Sequence, residues 1–235
     1  MQVLVGTSGY SYKEWKGTFY PEDLKAADML RYYAERLTTV EINNTFYRMP
    51  QATLLENWSH QVPEGFVFVL KGSQRITHMQ RLKNAGESVS YLFSTAVTLG
   101  PKLGPVFFQL PPTLKKDVPR LAAFLELLPP DREVAFEFRH ESWFDEEVYD
   151  ALRARRIALC AADTDESGDE GAPVVPTSGF GYLRLRRAEY SDEDLARWAE
   201  RVRIQPWERA FVFFKHEDAG KGPAMATRFR GIVGA

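Results

Sequence analysis

The chain reads as a single (β/α)8 barrel spanning residues 1–235, a prediction resting on three observations. Short runs apolar on both sides alternate with amphipathic stretches from one end to the other; eight such units occur; and no composition break divides them. Strand starts are expected near Val3, Thr39, Val67, Val106, Glu133, Ile157, Gly181 and Ala210. Helical periods fall at 28–37, 53–61, 87–99, 118–128, 146–155, 192–202 and 223–232. Ser191 with Asp194 forms a capping box, Asp145 caps the helix that follows it, and Pro223 suits a first helical position. Two connections are long, residues 7–23 after the first strand and 163–179 after the sixth. Both lie on the face where barrels carry chemistry, which makes them expected lids or site walls. No G-x-G-x-x-G follows the first strand, which removes the dinucleotide-binding open sheet.

Bulk properties narrow the function classes. With 30 Lys and Arg against 32 Asp and Glu, the net charge of −2 lacks the basic footprint of a duplex-binding protein, so nucleic acid is not favoured. The lone Cys160, inside an apolar run, forms no internal disulfide and reads as an inert buried thiol. No apolar stretch approaches membrane-spanning length, and the first residues enter a strand without the pattern of a signal peptide. A cytoplasmic protein is expected.

The ends of the strands carry the functional signal. Residues 40–44, 66–71, 134–140, 182–186 and 211–216 are apolar runs that finish on charged or amide side chains. An ion at the end of a strand buried on both faces costs several kcal/mol unless it is paired or used. Alternation splits each run into two faces, and one parity sends Glu41, Lys71, Gln109, Glu137 and Arg184 to a single barrel mouth. The eighth strand is ambiguous, because Phe213 shares the face of Lys215; either Lys215 or His216 points inward. The bland reading makes these charges ion pairs filling the top layer of the barrel. Mixed signs from five strands favour a site instead, since buried pairs are weak devices for stability.

The ordered motifs Gly6-Thr7-Ser8-Gly9-Tyr10, Trp15 with Gly17 and Phe19-Tyr20-Pro21, Val40-Glu41 with Asn43 and Thr45-Phe46-Tyr47, Lys71 with Thr77-His78, Gln109-Leu110-Pro111-Pro112, and Glu137-Phe138-Arg139-His140 with Ser142-Trp143 resemble the YecE-like family of domains of unknown function. The resemblance continues to the segment Lys215-His216-Glu217-Asp218 and covers essentially the whole chain. It implies a TIM barrel and no established activity, and it points to Glu41, Lys71, Gln109, Glu137 and His140. It departs at the end of the eighth strand, where Lys215-His216 stands in place of the paired asparagines of many members.

The expectation is an enzyme acting by acid/base chemistry on a small anionic substrate, phosphorylated or sugar-like. Glu137 and His140 are assigned proton exchange, and Glu41 and Lys71 position and polarise the substrate. Arg184 and Lys215 hold its anionic group, with Arg186, Arg187 and Gly220-Lys221-Gly222 placed to assist as in barrel phosphate sites. Tyr10, Asn43, Tyr47, His78, Gln109, Arg139, Trp143 and His216 complete the expected contacts, with Trp15 and Phe46 as further flat walls. No cofactor and no metal ligand set is expected. The competing mechanism is a divalent-metal phosphodiesterase or nuclease-like hydrolase using Glu41, Glu137, Asp163 and Asp218, for which no H-E-x-x-H motif speaks. A non-catalytic protein that binds or senses an anionic metabolite is the alternative of a different class. No G-x-S-x-G elbow supports a serine nucleophile.

Overall fold

The structure is a computed structural model and describes residues 1–166, 173–215 and 218–234. Eight strands, β1 (Gln2–Ser8), β2 (Thr39–Ile42), β3 (Val67–Lys71), β4 (Leu103–Gln109), β5 (Val134–Glu137), β6 (Ala158–Asp163), β7 (Phe180–Leu185) and β8 (Arg209–Phe214), close in sequence order. Every pair is parallel, and β8 returns to β1 in register from Gln2 with Arg209 to Thr7 with Phe214. The helices are α1 (Met29–Ala34), α2 (Asn44–Tyr47), α3 (Ala52–His60), α4 (Gly86–Ala96), α5 (Val118–Leu125), α6 (Glu146–Ala154), α7 (Asp192–Arg203) and α8 (Lys221–Val233). The fold is the predicted (β/α)8 barrel.

Local chemistry sets the helix boundaries. The Ser191 hydroxyl accepts from the Asp194 N–H while the Asp194 carboxylate accepts from the Ser191 N–H, satisfying two orphan donors at the start of α7. Asp145 accepts from the Glu147 N–H at the start of α6. Leu195, Trp198, Ala199 and Val202 recur at helical spacing and form the buried stripe of α7. Two expectations are corrected. Two helices, α2 and α3, lie between β2 and β3, where one is expected. Pro223 is the third residue of α8, tolerated because the first turn has no intrahelical acceptor for its missing N–H. Gly220-Lys221-Gly222 is therefore the start of α8, and Lys221 pairs with Glu189 (3.0 Å) on the surface.

The lumen is packed by side-chain size. Ala135 and Ala158 are small, which leaves room for Phe107, Tyr182, Phe211 and Phe213. Phe107 and Tyr182 stack with ring centres 4.9 Å apart, and Phe213 lies 5.3 Å from Tyr182. With Phe213 inside, the parity that was ambiguous for β8 assigns Lys215 to the lumen side. Gly6 lets β1 approach β2, since a Cβ there would meet the Thr39 carbonyl oxygen at 2.0 Å.

The connection after β1 is anchored rather than free to close. Trp15 and Tyr20 are buried in the core, and Trp15 packs against Tyr12, Phe19 and Tyr20. It is a wall, not a lid. The returning half of the connection after β6 is tied down where the Thr177 hydroxyl accepts from the Leu159 N–H (2.8 Å) and donates to the Ile157 carbonyl (2.6 Å). Residues 167–172 of that connection lie outside the described residues. Among the described residues no helix is long and apolar enough to cross a membrane.

Candidate functional site

At the C-terminal mouth Glu41, Glu137 and Arg184 meet from three strands, all essentially without solvent exposure. Arg184 donates one guanidinium nitrogen to Glu41 (3.0 Å) and another to Glu137 (2.6 Å). The Tyr182 hydroxyl donates to the other Glu41 oxygen (2.7 Å), and Arg139 donates its Nε to the other Glu137 oxygen. The Cys160 thiol faces Glu137 at 3.9 Å. A planar fork that serves two carboxylates at once makes burial of all three charges tolerable.

These contacts correct the role expected of Glu137. Burial pushes its carboxyl upward, but Arg184 and Arg139 beside it prevail and hold it down to about 2. It stays ionised and paired, which unfits it for proton exchange near neutral pH. Burial and the neighbouring Glu137 carboxylate push the Cys160 thiol up, in keeping with an inert sulfur.

Outside this sealed triad lies a ring of cations. Lys71 Nζ donates to Gln109 Oε1 (2.9 Å), which also accepts from Arg184 (3.4 Å). The Phe46 ring lies 4.4 Å from Lys71 Nζ. Burial and the Arg184 charge, joined by Lys215, lower the Lys71 ammonium to about 8 against the pull of Glu41 and Glu137. Arg186 follows Arg184 on the same face and carries two buried guanidinium nitrogens, Nε and one terminal nitrogen, with no hydrogen-bond partner. Burial, then the charges of Arg139 and Arg184, lower its affinity for its proton. His78 is lowered by burial and by Lys71, Arg139 and Arg81, while its Nδ1 meets the Thr77 hydroxyl (2.8 Å). Among the described residues, Lys71, Arg139, Arg184, Arg186 and Lys215 thus outnumber the carboxylates Glu41 and Glu137 at this mouth. On the neighbouring strand the Ser8 hydroxyl, opposite Glu41 in register, is buried and unpartnered.

The family model described as "Protein of unknown function DUF72" matches residues 4–235. The chain belongs to the DUF72 family. It is similar to the UPF0759 protein YunF of Bacillus subtilis, 27% identical over 256 aligned positions that cover 93% of this chain and 90% of that protein. It is 30% identical over 143 residues to the UPF0759 protein YecE of Escherichia coli, a match covering 60% of this chain but spanning only half the length of that relative. The crystal structure of a DUF72 family protein from Thermotoga maritima superposes with a TM-score of 0.87 at 28% identity, each chain covered in full.

The motif residues that carry the DUF72 resemblance fall into three settings. Tyr10 and Asn43 line a small cavity of about 130 Å³ beside the mouth, with Gly9, Ser11, Tyr12 and Trp58. Tyr47 is 72% exposed beside Phe46, and Phe46 also meets His78 edge-on. Trp143, in contrast, is fully buried, stacked on Phe138 at 4.7 Å with its indole N–H donated to the Leu114 carbonyl (2.7 Å). It is a core residue and not the ligand wall expected; Trp15 is corrected in the same way, being wholly buried. His140 caps a turn: its Nδ1 accepts from the Ser142 N–H (3.2 Å) and meets the Ser142 hydroxyl (2.9 Å), leaving the proton of the neutral ring on Nε2. His216 and Glu217 lie outside the described residues.

The competing metal reading needs Asp163 beside Glu41 and Glu137, and Asp163 points the other way. Its Oδ2 accepts from Tyr190 (2.9 Å) and Trp198 (3.2 Å) and forms an ion pair with Arg187 (2.9 Å) on the helix side of β6. Arg187 is thereby a structural partner of Asp163 and no part of the mouth. With Arg184 wedged between Glu41 and Glu137, no group of three metal-ligating side chains converges among the described residues. A cavity of about 770 Å³ opens at the opposite end of the barrel among Arg132, Arg156 and Arg209. Function in this fold is placed by the strand ends and their chemistry rather than by cavity size.

One feature of the mouth escaped sequence reasoning. The segment after β3 forms a π-helix, Arg75–Met79, followed by Arg81, Leu82 and Asn84 with left-handed backbone. Such strain persists where surrounding structure enforces it and gathers at functional sites.

Proposed function

We propose that this DUF72 protein binds a small anionic molecule at the C-terminal mouth of its barrel and acts on it there. The supporting observation is Arg186, whose two buried, unpartnered guanidinium nitrogens sit among other cations. A crowded arginine with unused donors is unfavourable in the empty protein and becomes favourable when a carboxylate or phosphate completes its hydrogen bonds. Lys71, with an ammonium lowered to about 8, is the group suited to gaining and losing a proton near neutral pH, in place of Glu137. The sealing of both carboxylates by Arg184 favours a second reading, a binding protein without turnover.

Calorimetric titration with inorganic phosphate and with pyruvate tests the binding. A charge-assisted hydrogen bond is worth about 1.5–3 kcal/mol, so Arg186→Met should weaken binding by roughly 10- to 100-fold. Equal affinity in the wild type and Arg186→Met, or binding of neither anion, overturns the proposal. Turnover of the bound anion separates an enzyme from a binding protein.

A further inference from the structure

We infer that Lys71 is a nucleophilic amine that forms an imine with the carbonyl of a small aldehyde or ketone carrying a carboxylate or phosphate. The inference rests on the anion-binding reading above and names the substrate class it serves.

Among the described residues Lys71 has no carboxylate partner. Two carboxylates within electrostatic reach among the described residues, Glu41 and Glu137, both give their oxygens to Arg184, with Tyr182 and Arg139 occupying the remainder. What Lys71 Nζ has instead is a neutral amide oxygen at 2.9 Å and the faces of Phe46 at 4.4 Å and Phe107 at 6.0 Å. The amide fixes where the nitrogen points, and the rings exclude water from it. Glu41 and Glu137 favour its charged form; burial, Arg184 and Lys215 oppose it and prevail, so the free amine is populated near neutral pH. Desolvation beside a second cation is the setting in which a lysine becomes nucleophilic. The substrate's anionic group would pair with the unused donors of Arg186, bringing the carbonyl to the amine.

The step balances without a redox partner. The neutral Lys71 nitrogen adds to the carbonyl carbon, a C–N bond forms, and the C=O π pair moves to oxygen. Both nitrogen protons and that oxygen leave as water. The product is a C=N bond which, once protonated, withdraws electrons from the adjacent carbon, the activation that aldol, decarboxylation and hydration chemistry use.

Reductive trapping tests the inference. The intact protein is treated with sodium cyanoborohydride and glyoxylate, pyruvate or dihydroxyacetone phosphate, and lysine modification is mapped by peptide mass spectrometry. The two oxo acids and the keto phosphate distinguish a carboxylate from a phosphate as the anchoring group. A fall from 10.5 to about 8 raises the free amine by roughly 300-fold, and weaker basicity returns part of that. Lys71 should therefore be trapped at least ~10-fold faster than the exposed Lys13 and Lys25 with one or more of the probes. Lys71→Arg, which keeps the charge, should abolish this fast phase while leaving the circular dichroism spectrum unchanged. Trapping of Lys71 no faster than Lys13 overturns the inference. If that result comes with Arg186-dependent binding of pyruvate or phosphate, the anion site stands and only the imine falls; if binding is also lacking, both fall.

Discussion

Replacing Glu137 with Gln tests the sealed triad at its most consequential member. Glu137 accepts from Arg184 at 2.6 Å through one oxygen and from Arg139 through the other, with no solvent exposure. Its carboxyl falls from 4.5 to about 2 on folding, which at about 1.4 kcal/mol per pH unit stabilises the fold by ~3 kcal/mol at neutral pH. Removing one partner of a buried pair costs about 3–5 kcal/mol, and Arg184 keeps Glu41 at 3.0 Å, so the lower end applies. For a chain of this size Tm should drop by roughly 6–12 °C. The sign with pH follows from the depressed value. The stabilisation is complete above about 4.5, shrinks to roughly 40% at pH 3, and is gone once the pH falls through about 2. Urea denaturation of wild type and Glu137→Gln at pH 7, 5 and 3 measures this directly. A difference below ~1 kcal/mol at pH 7, or one that does not shrink toward pH 3, refutes the account of the triad.

Three further outcomes follow from the same geometry. Lys71→Met should raise stability at pH 7 by about 1–3 kcal/mol, because folding lowers the ammonium to about 8 and burdens the protein until the pH rises past the unfolded value near 10.5; a variant less stable than wild type contradicts this. Asp163→Asn leaves Arg187 without its carboxylate and weakens the bonds from Tyr190 and Trp198, costing ~3 kcal/mol in thermal or urea unfolding, and a cost below ~1 kcal/mol would count against it. Trp143→Phe should lower stability by ~2–3 kcal/mol through the lost bond to Leu114 and a small cavity, yet leave anion affinity unchanged. A loss of affinity in a folded Trp143→Phe protein would return Trp143 to the ligand site.

Much of the mouth was legible because strand parity is a local rule. Once β2, β3, β4, β5 and β7 are recognised, alternation alone sends Glu41, Lys71, Gln109, Glu137 and Arg184 to one side, and the distances among them show the meeting. What parity cannot reveal is partnership. Whether Glu137 is a proton carrier or a fixed anion depends on which cation reaches it across the lumen, and Arg184 lies 47 residues away in sequence. Trp143 looked like a ligand wall because its burial depends on a short turn that folds it back onto Phe138, a tertiary event without a periodic signature. Phe213, which left the facing of β8 ambiguous in the sequence, points inward. Its ring fits because Ala135 and Ala158 are small across the lumen.

The central claim, that the cation-rich mouth is an anion site, is tested most directly by soaking crystals of the protein in selenate and locating the ion by anomalous scattering. An ordered selenium peak within hydrogen-bond distance of the Arg186 guanidinium is the predicted result. A mouth without an ordered anion, with peaks only at surface arginines such as Arg132 and Arg156 at the opposite end of the barrel, would contradict it.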